Sequence, residues 1–290
     1  MGEEEKESSI HLLETQQKLE LRIRKLTEQN ASFEELEKAH DDFHAFILKH
    51  GVRGKSSQGF IYKNELSPID TFFIKRIGNG KSVLEIGLGD GIFLTSCAKK
   101  GNKVQGIDIS SIIIDRINRI LKNEKVDGRV KLGDARVLTF SNETFNVVVS
   151  KDLVEHLLEK DLPTHLNEVW RILKPGGYYL IWTPSSLLGH TSLGAHLKEY
   201  TLSEILAALS NANFMPKLMN LHIYRLSGID KQISNRLIIL FVLGYEKLLN
   251  RCLTLINIQI QNPAIYLIVP PICIAAYKGF GRRECFCKVF

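Results

Sequence analysis

The clearest chemical pattern in this sequence lies between residues 81 and 110. An apolar β-branched run contains Glu85, and three glycines follow it at every second position, Gly87, Gly89 and Gly91. A second short apolar segment ends at Asp108. Glycine lets the backbone turn sharply and approach a ligand closely, because it has no Cβ. Two acids near the ends of adjacent parallel strands suit hydroxyls and amines rather than phosphates, so the stretch predicts a ligand site at the first turn of a βαβ unit.

A dinucleotide site would have a different glycine spacing. The nucleotide pattern is G-x-G-x-x-G, with the pyrophosphate at the helix N-terminus. In this chain the third glycine comes one residue early, position 92 is isoleucine, and Glu85 would repel a phosphate. A tight strand-to-helix turn without any ligand remains the simpler alternative.

The pattern Glu-x-Gly-x-Gly-x-Gly resembles motif I of class I S-adenosylmethionine (SAM) dependent methyltransferases. The resemblance implies that the glycine loop passes beneath the methionine part of SAM, that Asp108 binds both ribose hydroxyls, and that Glu85 or nearby backbone meets the amino group. It also implies that Asp134 reads the adenine amino group, beside Ala135. The implied cofactor contacts are Glu85, Gly87, Leu88, Gly89, Gly91, Asp108, Ile109, Asp134, Ala135 and Lys151.

Three later motifs resemble the same family and come in the same order. Residues 151–157 (KDLVEHL) resemble motif IV, where the strand end lies beside the transferred methyl group; residues 174–177 (KPGG) precede a strand, and residues 196–201 read His-x-x-x-Tyr-Thr. Family members usually carry Asp at the position of Asn146, which lies away from the reaction centre. The resemblance covers residues 81–214.

Histidines are the candidate bases, because imidazole titrates near neutral pH. The candidates are His156, His190 and His196, and a packing or cofactor-contact role for His156 stays open. Asp152-x-x-Glu155-His156 also resembles a pattern in ubiquinone-pathway O-methyltransferases that can hold a divalent metal. With no further ligand identified, a metal is not expected. The predicted catalytic residues are His156, His196 and Asp152.

Local signals place the elements that carry these residues. Residues 3–50 have helical apolar spacing with leucines seven apart, which predicts a helix pair or a short coiled coil. Helices are predicted to begin at Ser67, at Ser110 or Ser111, and at Thr201 with Glu204 in a capping box. Strands are predicted at 129–132, 145–150, 178–183, 218–226 and 272–278.

Composition sets outer limits on function. The chain has 290 residues, 44% hydrophobic residues and a net charge of +6, with the basic residues scattered. Nucleic acid is therefore not an expected partner. The five cysteines and the absence of a secretory signal indicate reduced thiols and a cytoplasmic protein.

Together these features predict an α/β fold, a doubly wound Rossmann-like sheet that is mostly parallel with an antiparallel last strand. We expect an N-terminal helical segment (1–58), a SAM-binding core (59–229), an apolar helical insertion (230–271), and a last strand with tail (272–290). The expected function is methyl transfer from SAM, with S-adenosylhomocysteine (SAH) as product, to an O or N atom of a small-molecule or lipid-like acceptor. The alternatives are a non-catalytic binding protein and a nicotinamide-dependent oxidoreductase. We consider two further interactions. One is peripheral contact with a membrane, and the other is a homodimer through the N-terminal helices or the insertion.

Overall fold

A computed structural model describes residues 3–50, 66–184, 196–219, 221–224, 230–233 and 272–279. The predicted candidate base His190 and the predicted apolar runs at 236–269 lie outside these residues. The chain divides into two compact units, residues 1–137 with 193–196, and residues 138–192 with 197–290. The first unit contains α1 (Glu3–Glu28), α2 (Phe33–His50), α3 (Pro68–Ile77), β1 (Ser82–Ile86), α4 (Ile92–Lys99), β2 (Lys103–Asp108), α5 (Ser111–Glu124) and β3 (Gly128–Leu132).

The second unit begins at Leu138, and its first strand is β4. It contains β4 (Phe145–Lys151), a 3-10 turn (Val154–His156), α6 (Leu162–Ile172), β5 (Leu173–Thr183), α7 (Leu202–Asn211), β6 (Phe214–Leu218), β7 (Leu221–Tyr224), β8 (Asp230–Ile233) and β9 (Ile272–Lys278). β4 is almost wholly buried, as its continuous apolar run predicts for a central strand.

The sheet confirms the predicted fold class. Seven strands are ordered β3-β2-β1-β4-β5-β9-β6. β1, β2 and β3 pair in parallel, as do β4 and β5, whereas β9 runs antiparallel to both β5 and β6. The arrangement is the mostly parallel Rossmann-like sheet with an antiparallel last strand that the sequence predicts.

Helix starts agree with the predicted caps because capping is a local property. Ser67 caps α3 in a capping box with Asp70, and Thr201 caps α7 in a capping box with Glu204. The side chain of Ser110 caps α5.

The N-terminal helices form a pair within the chain. Ile23 of α1 packs with Ala39, Phe43 and Ile47 of α2 in a buried apolar cluster, and Leu19 and Leu26 border it. Leu19 and Leu26, two of the leucines spaced by seven, therefore pack against a cluster that includes residues of the adjacent helix. A homodimer through these helices stays a prediction.

Two predicted strands differ in extent from the structure. The predicted strand at 218–226 contains β7 (Leu221–Tyr224), but β7 pairs with Asp230–Ile233 in a separate two-stranded sheet. The segment that pairs with β9 is Phe214–Leu218, which lies mostly before the predicted range. β5 begins at Leu173 and includes the Lys-Pro-Gly-Gly stretch. Its register against β4 shifts between Phe145 and Val147, where a bulge accommodates the extra residues.

Candidate functional site

The glycine loop between β1 and α4 has the backbone geometry that its sequence predicts. Gly87, Gly89 and Gly91 have φ angles of +77°, +52° and +77°. These left-handed values favour glycine. A Cβ on Gly89 would meet nothing within 4 Å, whereas one on Gly91 would lie 2.8 Å from Cγ1 of Ile117. Gly89 thus leaves open space beside the loop, and Gly91 lets α4 and α5 pack closely.

Asp108 is buried at the end of β2 and is bonded to the glycine loop. Its carboxylate accepts hydrogen bonds from the backbone N–H groups of Leu88, at 2.8 Å, and Ser110, at 2.9 Å. Burial raises the pKa of Asp108, while the charge of His44 and the backbone donors lower it. Two carboxylate oxygens offer about four acceptor sites. The hydrogen bonds from Leu88 and Ser110 therefore leave acceptor positions on the Asp108 carboxylate for the two hydroxyls of a diol.

Glu85 and Gly106 are paired residues on the neighbouring parallel strands β1 and β2. Glu85 is fully buried. A Cβ on Gly106 would come within 2.4 Å of the Leu88 side chain, so glycine at this position makes room for the loop residue. The sequence reading missed Gly106, although a glycine inside a strand signals close approach.

The loop after β3 places Asp134 in an ion pair that the sequence reading did not predict. Arg136 donates from Nε and Nη2 to the Asp134 carboxylate, with Nη2 to Oδ2 at 2.6 Å, and its backbone N–H donates to Oδ1 at 2.8 Å. Both side chains are half-buried. Recognition of adenine by Asp134 stays a prediction, and Arg136 competes for the same carboxylate. Ala135 lies between them.

Two further residues of the first unit, Asp41 and His44, lie on α2. The Asp41 carboxylate accepts hydrogen bonds from the first residues of α5, and His44 is buried and interacts electrostatically with Asp108. No local sequence signal connects α2 with β2, because Asp41 and Ser110 are 69 residues apart.

The second unit contains the predicted catalytic residues that follow β4. Lys151, the last residue of β4, is half-buried, and Asp152 is exposed with a φ of +49°, a value that non-glycine residues rarely adopt. The backbone N–H of Asp152 donates to the carbonyl of Trp182 at 2.8 Å. His156 is half-buried in the 3-10 turn.

Glu155 is a buried carboxyl group with one unsatisfied oxygen. Its Oε2 accepts from the Thr183 hydroxyl at 2.8 Å, and Oε1 has no hydrogen-bond partner among the described residues. Burial, together with the charges of Asp152 and Glu199, raises the pKa of Glu155 well above its usual range. A carboxylate oxygen of Glu155 and a ring nitrogen of His156 lie within 4.8 Å of each other.

The segment before α7 brings a second unsatisfied group into this unit. The backbone N–H of Leu197 donates to the carbonyl of Glu155 at 2.8 Å. Tyr200 is 2% exposed, and its hydroxyl has no hydrogen-bond partner in the described part of the chain. Burial and nearby acids, Glu155 among them, raise the pKa of Tyr200. His196 is half-buried and directly precedes Leu197.

Comparison with known proteins agrees with this geometry. A family model described as a methyltransferase domain matches residues 83–177. The matched range contains the glycine loop, Asp108, Asp134 and the Glu155-His156 pair. Residues 83–177 therefore resemble the methyltransferase domain that this family model describes. The helices α1 and α2, with Asp41 and His44, lie outside the matched methyltransferase domain.

Similar methyltransferases act on different atoms. The chain is 37% identical over 114 residues to phosphoethanolamine N-methyltransferase 2 of Caenorhabditis elegans, covering 37% of this chain and 25% of that protein. It is 27% identical over 163 residues to a ubiquinone biosynthesis O-methyltransferase of Hydrogenovibrio crunogenus, covering 55% of this chain and 62% of that protein. The chain therefore spans only part of the curated relatives that it matches.

A solved structure shows the same fold at low sequence identity. The 1,6-didemethyltoxoflavin-N1-methyltransferase of Burkholderia thailandensis, solved with 1,6-didemethyltoxoflavin and SAH bound, is 14% identical, with a TM-score of 0.56. The match covers 86% of this chain and 91% of that one. Among the helices described here, none combines the length and apolar character needed to cross a bilayer.

Proposed function

We propose that this methyltransferase moves the methyl group of SAM to an oxygen or nitrogen atom of a small-molecule or lipid-like acceptor. The main support is the pairing of Asp108 with the glycine loop. The carboxylate that the family resemblance assigns to the ribose is bonded to Leu88 within the loop assigned to the methionine part. This hydrogen bond supports the proposal because it links the residue assigned to the ribose with the loop assigned to the methionine part.

The residues of the first unit fit SAM chemically. Asp108 keeps acceptor positions for two hydroxyls, and Gly89 leaves space for a ligand to approach the backbone. Glu85 supplies a buried carboxylate for an amino group. When bound, SAM supplies a methyl group on a positively charged sulfur, which is open to direct displacement. The task of the protein is then alignment of the reacting atoms.

The second unit offers the groups for a polar methyl acceptor. Glu155 Oε1 and the Tyr200 hydroxyl are both buried without hydrogen-bond partners among the described residues. Unsatisfied buried polar atoms are costly, so such groups call for an explanation. We propose that they bind the hydroxyl or amine of the acceptor. The carboxyl oxygen would accept its hydrogen bond, and the phenol would supply a donor.

His156 is the proposed general base in this scheme. It lies in the 3-10 turn beside Glu155 and follows the strand end that the resemblance places near the transferred methyl group. A hydroxyl or ammonium acceptor must lose a proton during transfer, and a neutral imidazole can take it. His196 remains the second predicted base, and Asp152 acts on the pKa of Glu155 through its charge. A metal held by the pattern around Glu155 is not part of this proposal.

Calorimetry tests cofactor choice. The intact protein should bind SAM and SAH and show no heat with NAD⁺. Binding of NAD⁺ alone would support the oxidoreductase alternative. Binding of SAH without methyl transfer to any acceptor would support the non-catalytic alternative.

A panel of methyl acceptors tests the chemistry, with SAH formation as the readout. Phosphoethanolamine, from the name of one relative, represents the nitrogen acceptor, and a catechol represents an oxygen acceptor for comparison with the O-methyltransferase relative. For the better substrate, Tyr200→Phe should raise KM by roughly tenfold, the value of about one hydrogen bond, with little change in kcat. Tyr178→Phe on β5 is the control and should leave both constants unchanged. An unchanged KM in Tyr200→Phe would remove Tyr200 from the acceptor site.

A further inference from the structure

Helix α2 is bonded to the turn that follows the ribose-site carboxylate. Asp41 accepts hydrogen bonds from the Ser110 hydroxyl at 2.5 Å, from the Ser111 hydroxyl, and from the Ile112 backbone N–H at 3.1 Å. Ser110 also donates its backbone N–H to Asp108 at 2.9 Å. Asp41 therefore accepts hydrogen bonds from donors at the start of α5. Ser110 connects the two acids, because it donates its hydroxyl to Asp41 and its backbone N–H to Asp108.

His44 follows Asp41 by three residues and lies on the same face of α2. It is 9% exposed, with its ring centroid 5.4 Å from that of Phe43 and 6.3 Å from that of His40. The titratable groups that act on His44 are His40 and Asp41 on its own helix and Asp108 at the end of β2. An imidazole is thus held in a largely dry position within electrostatic range of Asp108, the carboxylate that the proposed function assigns to the ribose.

We propose that α2 forms one wall of the nucleoside site and that His44 is a positioning residue for Asp108. In this arrangement α2 shields the carboxylate from water, and neutral His44 leaves the oxygens of Asp108 free for the ribose hydroxyls. The inference rests on the proposed function. It adds a helix from outside the matched methyltransferase domain to the cofactor site.

The arrangement predicts how acid affects cofactor binding. Burial lowers the pKa of His44, and the charges of Asp108 and Asp41 oppose this effect. A nucleoside bound at Asp108 removes more water from the imidazole and occupies the carboxylate, so it binds better to the neutral form. Protonated His44 would instead pair with Asp108 and compete with the hydroxyls. Acidification should therefore weaken binding below the ordinary histidine pKa of about 6.5.

His40 does not complicate this titration. Burial and the neighbouring His44 lower the pKa of His40 to about 4. His40 therefore stays neutral between about pH 7.5 and about pH 5.5, the range over which SAH binding is to be measured.

Calorimetry with SAH on the full chain between about pH 7.5 and about pH 5.5 tests the inference. The wild-type Kd should rise by about threefold or more across this range, but by less than the roughly tenfold change that one proton with an ordinary histidine pKa would give, because burial lowers the pKa of His44. In His44→Gln the Kd should change by less than about twofold over the same range. His50→Gln, an exposed histidine at the end of the same helix, is the matched control and should keep the wild-type profile.

Two outcomes separate this inference from the proposed function. A wild-type protein that binds no SAH at any pH would overturn the proposed function and the inference with it. A His44→Gln protein that binds SAH and keeps the acid response would overturn the inference alone, because the response would then come from Asp108 itself.

Imidazole NMR on the wild-type protein provides a measurement that needs no variant. SAH should lower the pKa of His44. An unchanged His44 titration with saturating SAH would equally overturn the inference, even where His44→Gln fails to fold.

Discussion

The carboxylate of Asp108 accepts a hydrogen bond from the backbone N–H of Leu88 at 2.8 Å, which links the end of β2 to the glycine loop. Asp108 therefore has a structural role in addition to its proposed contact with ribose. Substitution of Asp108 by alanine would remove the structural role and the proposed ribose contact together. Substitution by asparagine, which has nearly the same shape, separates the two roles better.

Asp108→Asn should weaken SAH binding by about 100-fold or more while the protein stays folded. The amide keeps one acceptor oxygen for the loop but loses the charge that strengthens hydrogen bonds to two hydroxyls, each worth about 1.5–3 kcal/mol. Calorimetry gives the Kd and circular dichroism verifies the fold. Asp115→Asn, an exposed acid on α5, is the control. A Kd within threefold of wild type, roughly the 0.7 kcal/mol scale of a weak contact, would remove Asp108 from its assigned role.

Gly89→Ala and Gly91→Ala should differ in their effects. Both positions have positive φ, so each alanine costs about 1 kcal/mol in backbone strain. In Gly91→Ala the new Cβ also meets Ile117 at 2.8 Å, and we expect a further loss of about 1–3 kcal/mol in the free energy of unfolding. Gly89→Ala should affect SAH affinity more than stability. Urea denaturation and calorimetry measure the two quantities, and equal stability losses would contradict the packing argument.

Arg136→Gln tests the adenine assignment of Asp134. If Asp134 reads the adenine amino group, freeing its carboxylate should strengthen SAH binding by several-fold, because the ion pair no longer competes. Asp134→Asn should weaken binding of SAH but not of its inosine analogue, which lacks the amino group. Equal losses for both ligands in Asp134→Asn would show that this carboxylate does not read the base.

Glu155→Gln should stabilise the protein at neutral and alkaline pH. Burial raises the folded-state pKa of Glu155, so above pH 4.5 the folded state holds more protons than the unfolded state, and stability falls as pH rises through the folded pKa. The neutral amide has no proton to lose, and we expect a gain of about 1 kcal/mol at pH 8 with a flatter pH profile. Methyl transfer should decrease in the same variant.

Glu124→Gln is the control for the pH dependence of stability in Glu155→Gln, because Glu124 is exposed and pairs with Lys99 at the surface. Its stability profile should match that of the wild type within about 0.5 kcal/mol. Urea unfolding at several pH values measures both variants. A Glu155→Gln profile parallel to the wild type would show that another group causes the pH response.

Local signals predicted much of the fold. Ser67, Ser110 and Thr201 cap the helices that their spacing predicts, because a cap depends on residues within one turn. β9 coincides with its predicted range, since an apolar run bounded by polar residues suits a buried strand. The glycine loop follows from its own composition in the same way.

The features that the sequence did not predict depend on contacts between residues that are far apart in the chain or on turn geometry. The division of residues 214–224 between two sheets depends on pairing with β8 and with β9, and β9 begins only at Ile272. The bond from Ser110 to Asp41 spans 69 residues. Arg136 looks like an ordinary surface cation in the sequence, and only the turn geometry brings it onto Asp134.

The tie between Asp41 and the start of α5 matters for any shortened version of this protein. A fragment cut to the matched range, 83–177, would leave two serine hydroxyls and the Ile112 N–H to bulk solvent and would uncover the β2 terminus. Such a fragment would retain every recognisable motif I residue yet present a hydrated carboxylate to the nucleoside. Domain-trimmed material would therefore underestimate how tightly the whole chain holds its ligand.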